Sequence, residues 1–128
     1  MGAMPRAPTT PMRDYRNTTA YQLARALVVR VYGATGGVER VGPAFALRRA
    51  AITAAARLVE GSARASHAEY RSHLEAARAA LAEFPLQVNL CQLRGQLAPE
   101  AARVLLAEQA ETSAALGRLI AEAEALAS

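Results

Sequence analysis

Five arginines, Arg25, Arg30, Arg48, Arg49 and Arg57, are the side chains of this chain best suited to chemistry, and that chemistry is the recognition of anions. A guanidinium stays charged at physiological pH and presents its N–H groups as a planar fork that matches phosphate or carboxylate oxygens. All 15 basic residues are arginine, against 11 acids, for a net charge of +4. The charge is unevenly spread. Residues 1–78 carry 12 arginines and five acids, net +7, whereas residues 79–128 carry three arginines and six glutamates, net −3. This split favours a polyanion, or an acidic protein surface, as partner of the first part. The competing reading is that these arginines pair with Glu60, Glu83 or a neighbouring subunit.

Other groups offer less. His67 and His73 are six residues apart, which places them on different faces of a helix, and no histidine–carboxylate pair has metal-ligand spacing. No metal and no cofactor is expected. Cys91, the single cysteine, falls at the apolar spacing of its helix and reads as a small buried thiol. It excludes an intramolecular disulfide and fits a reducing cytoplasm. Glu60 stands one residue before a helix-ending glycine, where an acid opposes the helix dipole, so an arginine partner and a structural role are expected of it. No glycine-rich phosphate loop follows a strand, because no strand pattern occurs. The chain therefore reads as non-enzymatic. Arg64, Arg71 and Arg78 repeat every seven residues, but Glu75 is four after Arg71 and three before Arg78, which reads as a solvated, ion-paired face. The aromatics, four Tyr and two Phe, fall mostly at core spacing. Without exposed rings between basic residues there is no stacking platform, which leaves backbone and shape recognition of a duplex or structured RNA.

The elements that must carry these residues are helical. Hydrophobic residues make up 52% of the chain and aromatics only 5%, so the apolar content is alanine, leucine and valine, with low helix cost. Alanine-rich helices approach closely but bury little area each, which favours self-association. No apolar run reaches membrane-spanning length and no signal-peptide core is present, so a cytoplasmic protein with no membrane partner is expected. Residues 1–13 read as a disordered lead-in, with Met1-Gly2-Ala3-Met4 as a cloning scar before a native start; residues 14–128 read as one domain.

Four helices are predicted. The first starts at Thr18 or Thr19, shows a stripe of Tyr21, Ala24, Val28 and Val31 with Leu27 and Tyr32 beside it, and is ended by Gly33 and Gly36-Gly37, with a loop continuing to Gly42. The second opens at Pro43, carries Leu47, Ala51, Ala54 and Leu58 on one face and Ile52, Ala55 and Val59 on another, and stops at Gly61. Two apolar faces need neighbours on two sides, the strongest sign of a subunit interface. The third starts at a capping box, Ser66-x-x-Glu69, and runs Tyr70, Leu74, Ala77, Leu81, Phe84, Val88 and Cys91 as an unbroken 4-3 seam. Pro85 predicts a kink near Leu81–Pro85, with continuation to about Arg94 and a stop at Gly95. The fourth opens at Pro99-Glu100 and presents Ala101, Leu105, Thr112, Ala115, Leu119 and Leu126, with Glu108 as the charged member of that stripe. Short loops give an all-α, up-down-up-down four-helix bundle.

The middle third resembles a known family. Ala46-Leu47-Arg48-Arg49-Ala50, then Arg57-Leu58-Val59-Glu60-Gly61, then Ser66-His67-Ala68-Glu69-Tyr70 and Ala80-Leu81-Ala82-Glu83 are similar to the motifs of bacterial four-helix bundle proteins encoded in intervening sequences of large-subunit ribosomal RNA genes. Relatives of that family include the accessory variability determinant proteins of diversity-generating retroelements. The likeness extends over roughly residues 14–127; Arg57 and Ala80 depart from the family's asparagine and serine. The resemblance implies a homopentameric barrel with a basic surface and no enzymatic activity. In the retroelement branch it implies docking to a reverse transcriptase and its RNA. Five copies of a +4 chain carry +20, which suits an assembly that binds nucleic acid. On this reading Arg25, Arg30, Arg48, Arg49 and Arg57 contact nucleic acid, while Glu60, Gly61, Ser66, Glu69 and Glu83 are structural. The alternative is an assembly module with no nucleic-acid role.

Overall fold

The computed structural model describes residues 14–36, 42–64 and 66–127. The lead-in expected over residues 1–13 and the loop at 37–41 lie outside the described residues. After a 3₁₀ turn at Tyr15–Asn17, Thr18 caps α1, Thr19–Thr35, by accepting the Tyr21 N–H on its Oγ1 at 3.1 Å. Gly33 does not stop this helix. The stop is Gly36, whose φ of +51° is the left-handed conformation that ends a helix at little cost to glycine. Its core face is Ala20, Ala24, Leu27 and Val31, each at most 1% exposed. Tyr21 and Val28, expected at the centre, are half-buried on the side of α2, and Tyr32 is exposed.

The next helix, α2, runs Pro43–Ser62, and its face of Leu47, Ala51, Ala54 and Leu58 is fully buried as expected. Gly61 lies within the last turn and is itself buried, so it is not the stop. A Cβ there would lie 2.8 Å from His73 Cβ and 3.3 Å from Tyr70 Cδ1. Glycine is required because α3 crosses at that point. Ser66 Oγ accepts the Glu69 N–H at 3.2 Å and starts α3, His67–Ala82.

Every residue of the predicted seam from Tyr70 to Cys91 is buried, although the rod is broken. Only Glu83 separates α3 from α4, Phe84–Leu93, and its φ of −87° and ψ of −3° keep it in the helical region. Pro85 brings no N–H to the carbonyl four residues earlier, that of Leu81. Gln109 Nε2, from the last helix, donates to this carbonyl at 3.2 Å. The rod ends at Gly95, φ +72°, where the Gln96 N–H reaches Cys91 O at 2.8 Å and the Gly95 N–H reaches Gln92 O at 3.0 Å.

The last helix, α5, spans Pro99–Ala127. Leu105, Thr112 and Ala115 face the core as expected, joined by Ala102, Leu116, Ile120 and Ala123. Ala101 and Leu119 are only half-buried, and Leu126 is 67% exposed. A 29-residue helix drifts across a straight seam, because 3.6 residues per turn does not match a fixed 4-3 repeat. Thr112 is satisfied by its own helix, its Oγ1 donating to Glu108 O at 2.8 Å.

The fold is all-α, with no strand among the described residues. Four rods form a square, α3 and α4 together making the third. Helix α1 packs on α2 and α5, and the third rod packs on the same two. Neighbours run antiparallel. Arg48 near the start of α2 meets Thr35 at the end of α1, and Arg71 early in α3 meets Glu124 late in α5. The expected up-down-up-down order follows. Leu27, Leu47, Leu58, Leu74, Leu81, Phe84, Leu105 and Leu116 fill the centre, each contributing roughly 1.5–3 kcal/mol by burial. No helix of the described residues is long and apolar enough to cross a membrane.

Candidate functional site

The five arginines of interest divide among three places. Arg48 is only 5% exposed. Its Nε donates to Thr35 Oγ1 at 2.9 Å, its Cζ lies 5.6 Å from the centre of the Tyr32 ring, and Thr35 Oγ1 donates in turn to Val31 O at 2.8 Å. This side chain clamps the start of α2 to the end of α1. Its burial corrects the expectation that it meets a phosphate at the protomer surface. Nothing in the local spacing signals the clamp, since Thr35 lies thirteen residues earlier across a loop.

Arg25 and Arg30 occupy the α1 surface toward α5. Arg30 pairs with Glu108, which accounts for a charged residue on the inward stripe of α5. The arginine side chain is 55% exposed and the glutamate 21%. Arg25 is exposed between two shallow apolar grooves, one shared with α5 and one shared with α2. The second groove holds Val28, Ile52, Ala55 and Val59. The second apolar face expected of α2 is therefore only partly covered, and Ile52 remains 42% exposed.

Arg49 and Arg57 lie on the opposite side, where α2 meets the third rod. Arg49 extends over the Phe45 ring, 5.9 Å from its centre, and borders a groove with Ala80, Glu83 and Gln87. Arg57 Nη1 is 3.7 Å from Glu60 Oε1 and 3.4 Å from His73 Nδ1, and that glutamate oxygen is 3.8 Å from the same ring nitrogen. Glu60 thus has the arginine partner expected of it. Eight residues of helix separate Arg49 from Arg57, about 12 Å of rise. Both face the third rod, Arg49 exposed and Arg57 half-buried.

The seven-residue arginine repeat behaves as a solvated face in part. Arg71 pairs with Glu75 at 3.3 Å and also with Glu124 at 3.0 Å. Arg78 instead lies over Gly117 of α5, its Nη1 3.3 Å from where a Cβ would stand. His73, which sequence reasoning considered only as a metal ligand, is the residue that both abuts Gly61 and contacts Arg57. Among the described residues no group of three His, Cys, Asp or Glu is placed to hold a metal ion. Cys91 is buried.

A family model described as 23S rRNA-intervening sequence protein matches residues 16–118. A search of curated proteins finds no match to the chain.

Proposed function

The chain belongs to the 23S rRNA-intervening sequence protein family, and on that premise we propose that it is a non-enzymatic, oligomeric accessory protein of the cytoplasm that binds structured RNA or duplex nucleic acid through backbone contacts. The observation that carries this reading is the placement of Arg49 and Arg57 on the side of α2 toward the third rod, in a chain with net charge +4. Two phosphate contacts give weak binding, because affinity rises with the number of counterions released. Assembly multiplies them, and a homopentamer, the number carried by the resemblance, is the assembly we propose. Arg57 is held by a surface pair whose partner is half exposed, so it can exchange that carboxylate for a phosphate at small cost.

The test is a mobility shift with a hairpin RNA and a duplex DNA at about 50 and about 200 mM salt. Retardation at low salt that fades at high salt, and that Arg49→Glu combined with Arg57→Glu abolishes without changing the assembly, supports the proposal. No retardation at low salt removes it.

A second reading has its own support. Arg48, Arg30 and Arg57 are each engaged by the same chain, which suits an assembly module with no nucleic-acid role. That reading expects Arg49→Glu to dissolve the oligomer. A retroelement reverse transcriptase is the protein partner brought by the resemblance alone. Co-purification from cells expressing both tests it: a stoichiometric complex supports that partner, and its absence removes it.

A further inference from the structure

The surface carries an apolar stripe and an apolar trough that the four-rod core does not use. On α4, Leu86, Leu90 and Leu93 are 56%, 36% and 75% exposed. Their i, i+4, i+7 spacing stacks them on one face. Glu83 before them and Arg94 after them are exposed and share that face by helical spacing. Elsewhere on the bundle, α1 and α5 enclose an open trough of about 870 Å³ floored by Ala26, Val29, Gly33, Ala34, Ala101 and Val104. Small side chains leave it hollow, and Val29 within it is 64% exposed. Arg25 and Glu100 stand at its rim.

We propose that the leucine stripe of one copy seats in the α1/α5 trough of the next, so that this chain assembles head to tail through two different faces. The proposal rests on the self-assembly part of the function proposed above, and it moves Arg25 from the nucleic-acid surface to the subunit contact.

Charge order supports the match. The Arg30–Glu108 pair sets α1 and α5 in register. Counting five residues back along α1 and eight back along α5 separates Arg25 from Glu100 by about 20 Å along the bundle axis at about 1.5 Å per residue. Glu83 and Arg94 are eleven residues apart, about 16 Å. The Gln109–Leu81 contact sets the α3/α4 junction level with the middle of the trough. Stripe and trough therefore overlap along the axis, with the stripe displaced toward the Glu100 end. With two copies parallel and one slid along the axis, Glu83 falls toward Arg25 and Arg94 toward Glu100, which also pairs with Arg103 of its own chain. Inverting one copy sets acid against acid and arginine against arginine, which disfavours that arrangement.

The experiment is light-scattering mass on the full chain and two variants, with helicity by circular dichroism confirming that each is folded. The stripe variant is Leu90→Glu/Leu93→Glu and the trough variant is Val29→Glu. The wild type is expected to be a multiple of 13.5 kDa and each variant a single chain. Mixed in equal amounts, the variants are expected to form a heterodimer, because one keeps its stripe and the other its trough. Variants that retain the wild-type mass, or variants that stay single when mixed, overturn the assignment of the two faces while leaving assembly intact. A wild type of single-chain mass overturns assembly itself. Should a variant fail to fold, Glu83→Arg and Arg25→Glu decide: each is expected to weaken the oligomer and the two together to restore it, and absence of restoration overturns the pairing.

Discussion

At the scale of single residues, two glycines sit inside helices for opposite reasons. Gly61 has no room for a Cβ, because His73 Cβ would be 2.8 Å away and cannot rotate aside. Gly61→Ala must push α3 off α2, and we expect it to destabilise by about 1–3 kcal/mol in urea denaturation. Gly117 faces only the far end of Arg78, a flexible guanidinium that can shift by the few tenths of an ångström required. Gly117→Ala is therefore expected to stabilise by up to about 1 kcal/mol, the helix preference of alanine over glycine. Equal effects of the two changes would contradict this account. The sequence alone does not separate the two glycines: each looks like a weak point in a helix. What distinguishes them is a residue on another element, His73 for one and Arg78 for the other. The same holds for Arg48, whose type predicts anion binding and whose burial depends on Thr35 across a loop.

At the scale of elements, the seam from Tyr70 to Cys91 was legible in full because periodic burial survives a bend in the rod. The break at Glu83 falls within the kink that Pro85 predicts at Leu81–Pro85; its repair was not legible. Pro85 brings no N–H to the Leu81 carbonyl, which accepts instead from the Glu83 N–H and from Gln109, 28 residues away on α5. Gln109→Leu should remove one of that carbonyl's two donors and cost about 0.5–1.5 kcal/mol. In a Pro85→Ala background the restored N–H can reach Leu81, so the same change should cost less. A double-mutant cycle by chemical denaturation measures the coupling, expected to exceed about 0.5 kcal/mol; additive costs would count against the repair. Stripes at the ends of the pattern were less well read. Leu126 extends the α5 period on paper but lies 67% exposed, and α1 turns Ala20 and Leu27 inward in place of Tyr21 and Val28. Alanine and leucine alternate so densely here that two adjacent stripes look equally apolar, and only the packed neighbours choose between them.

For the whole molecule, the uneven charge and the exposed apolar faces act together. A chain with net charge +4 is a modest attractor by itself, and a bundle whose Val29, Leu86, Leu90 and Leu93 face water leaves apolar area unburied. The proposed ring of several copies would cover those faces and concentrate the α2 arginines on one object. Composition pointed to assembly through alanine-rich helices, but the face it favoured, on α2, is partly filled by Tyr21 and Val28 of the same chain. The measurement that tests the central claim most directly is sedimentation of the wild-type chain at micromolar concentration, at low salt, alone and with a hairpin RNA. The account predicts a closed species several times the 13.5 kDa chain mass that moves faster when RNA is added. A single species at the mass of one chain, unchanged by RNA, would contradict it.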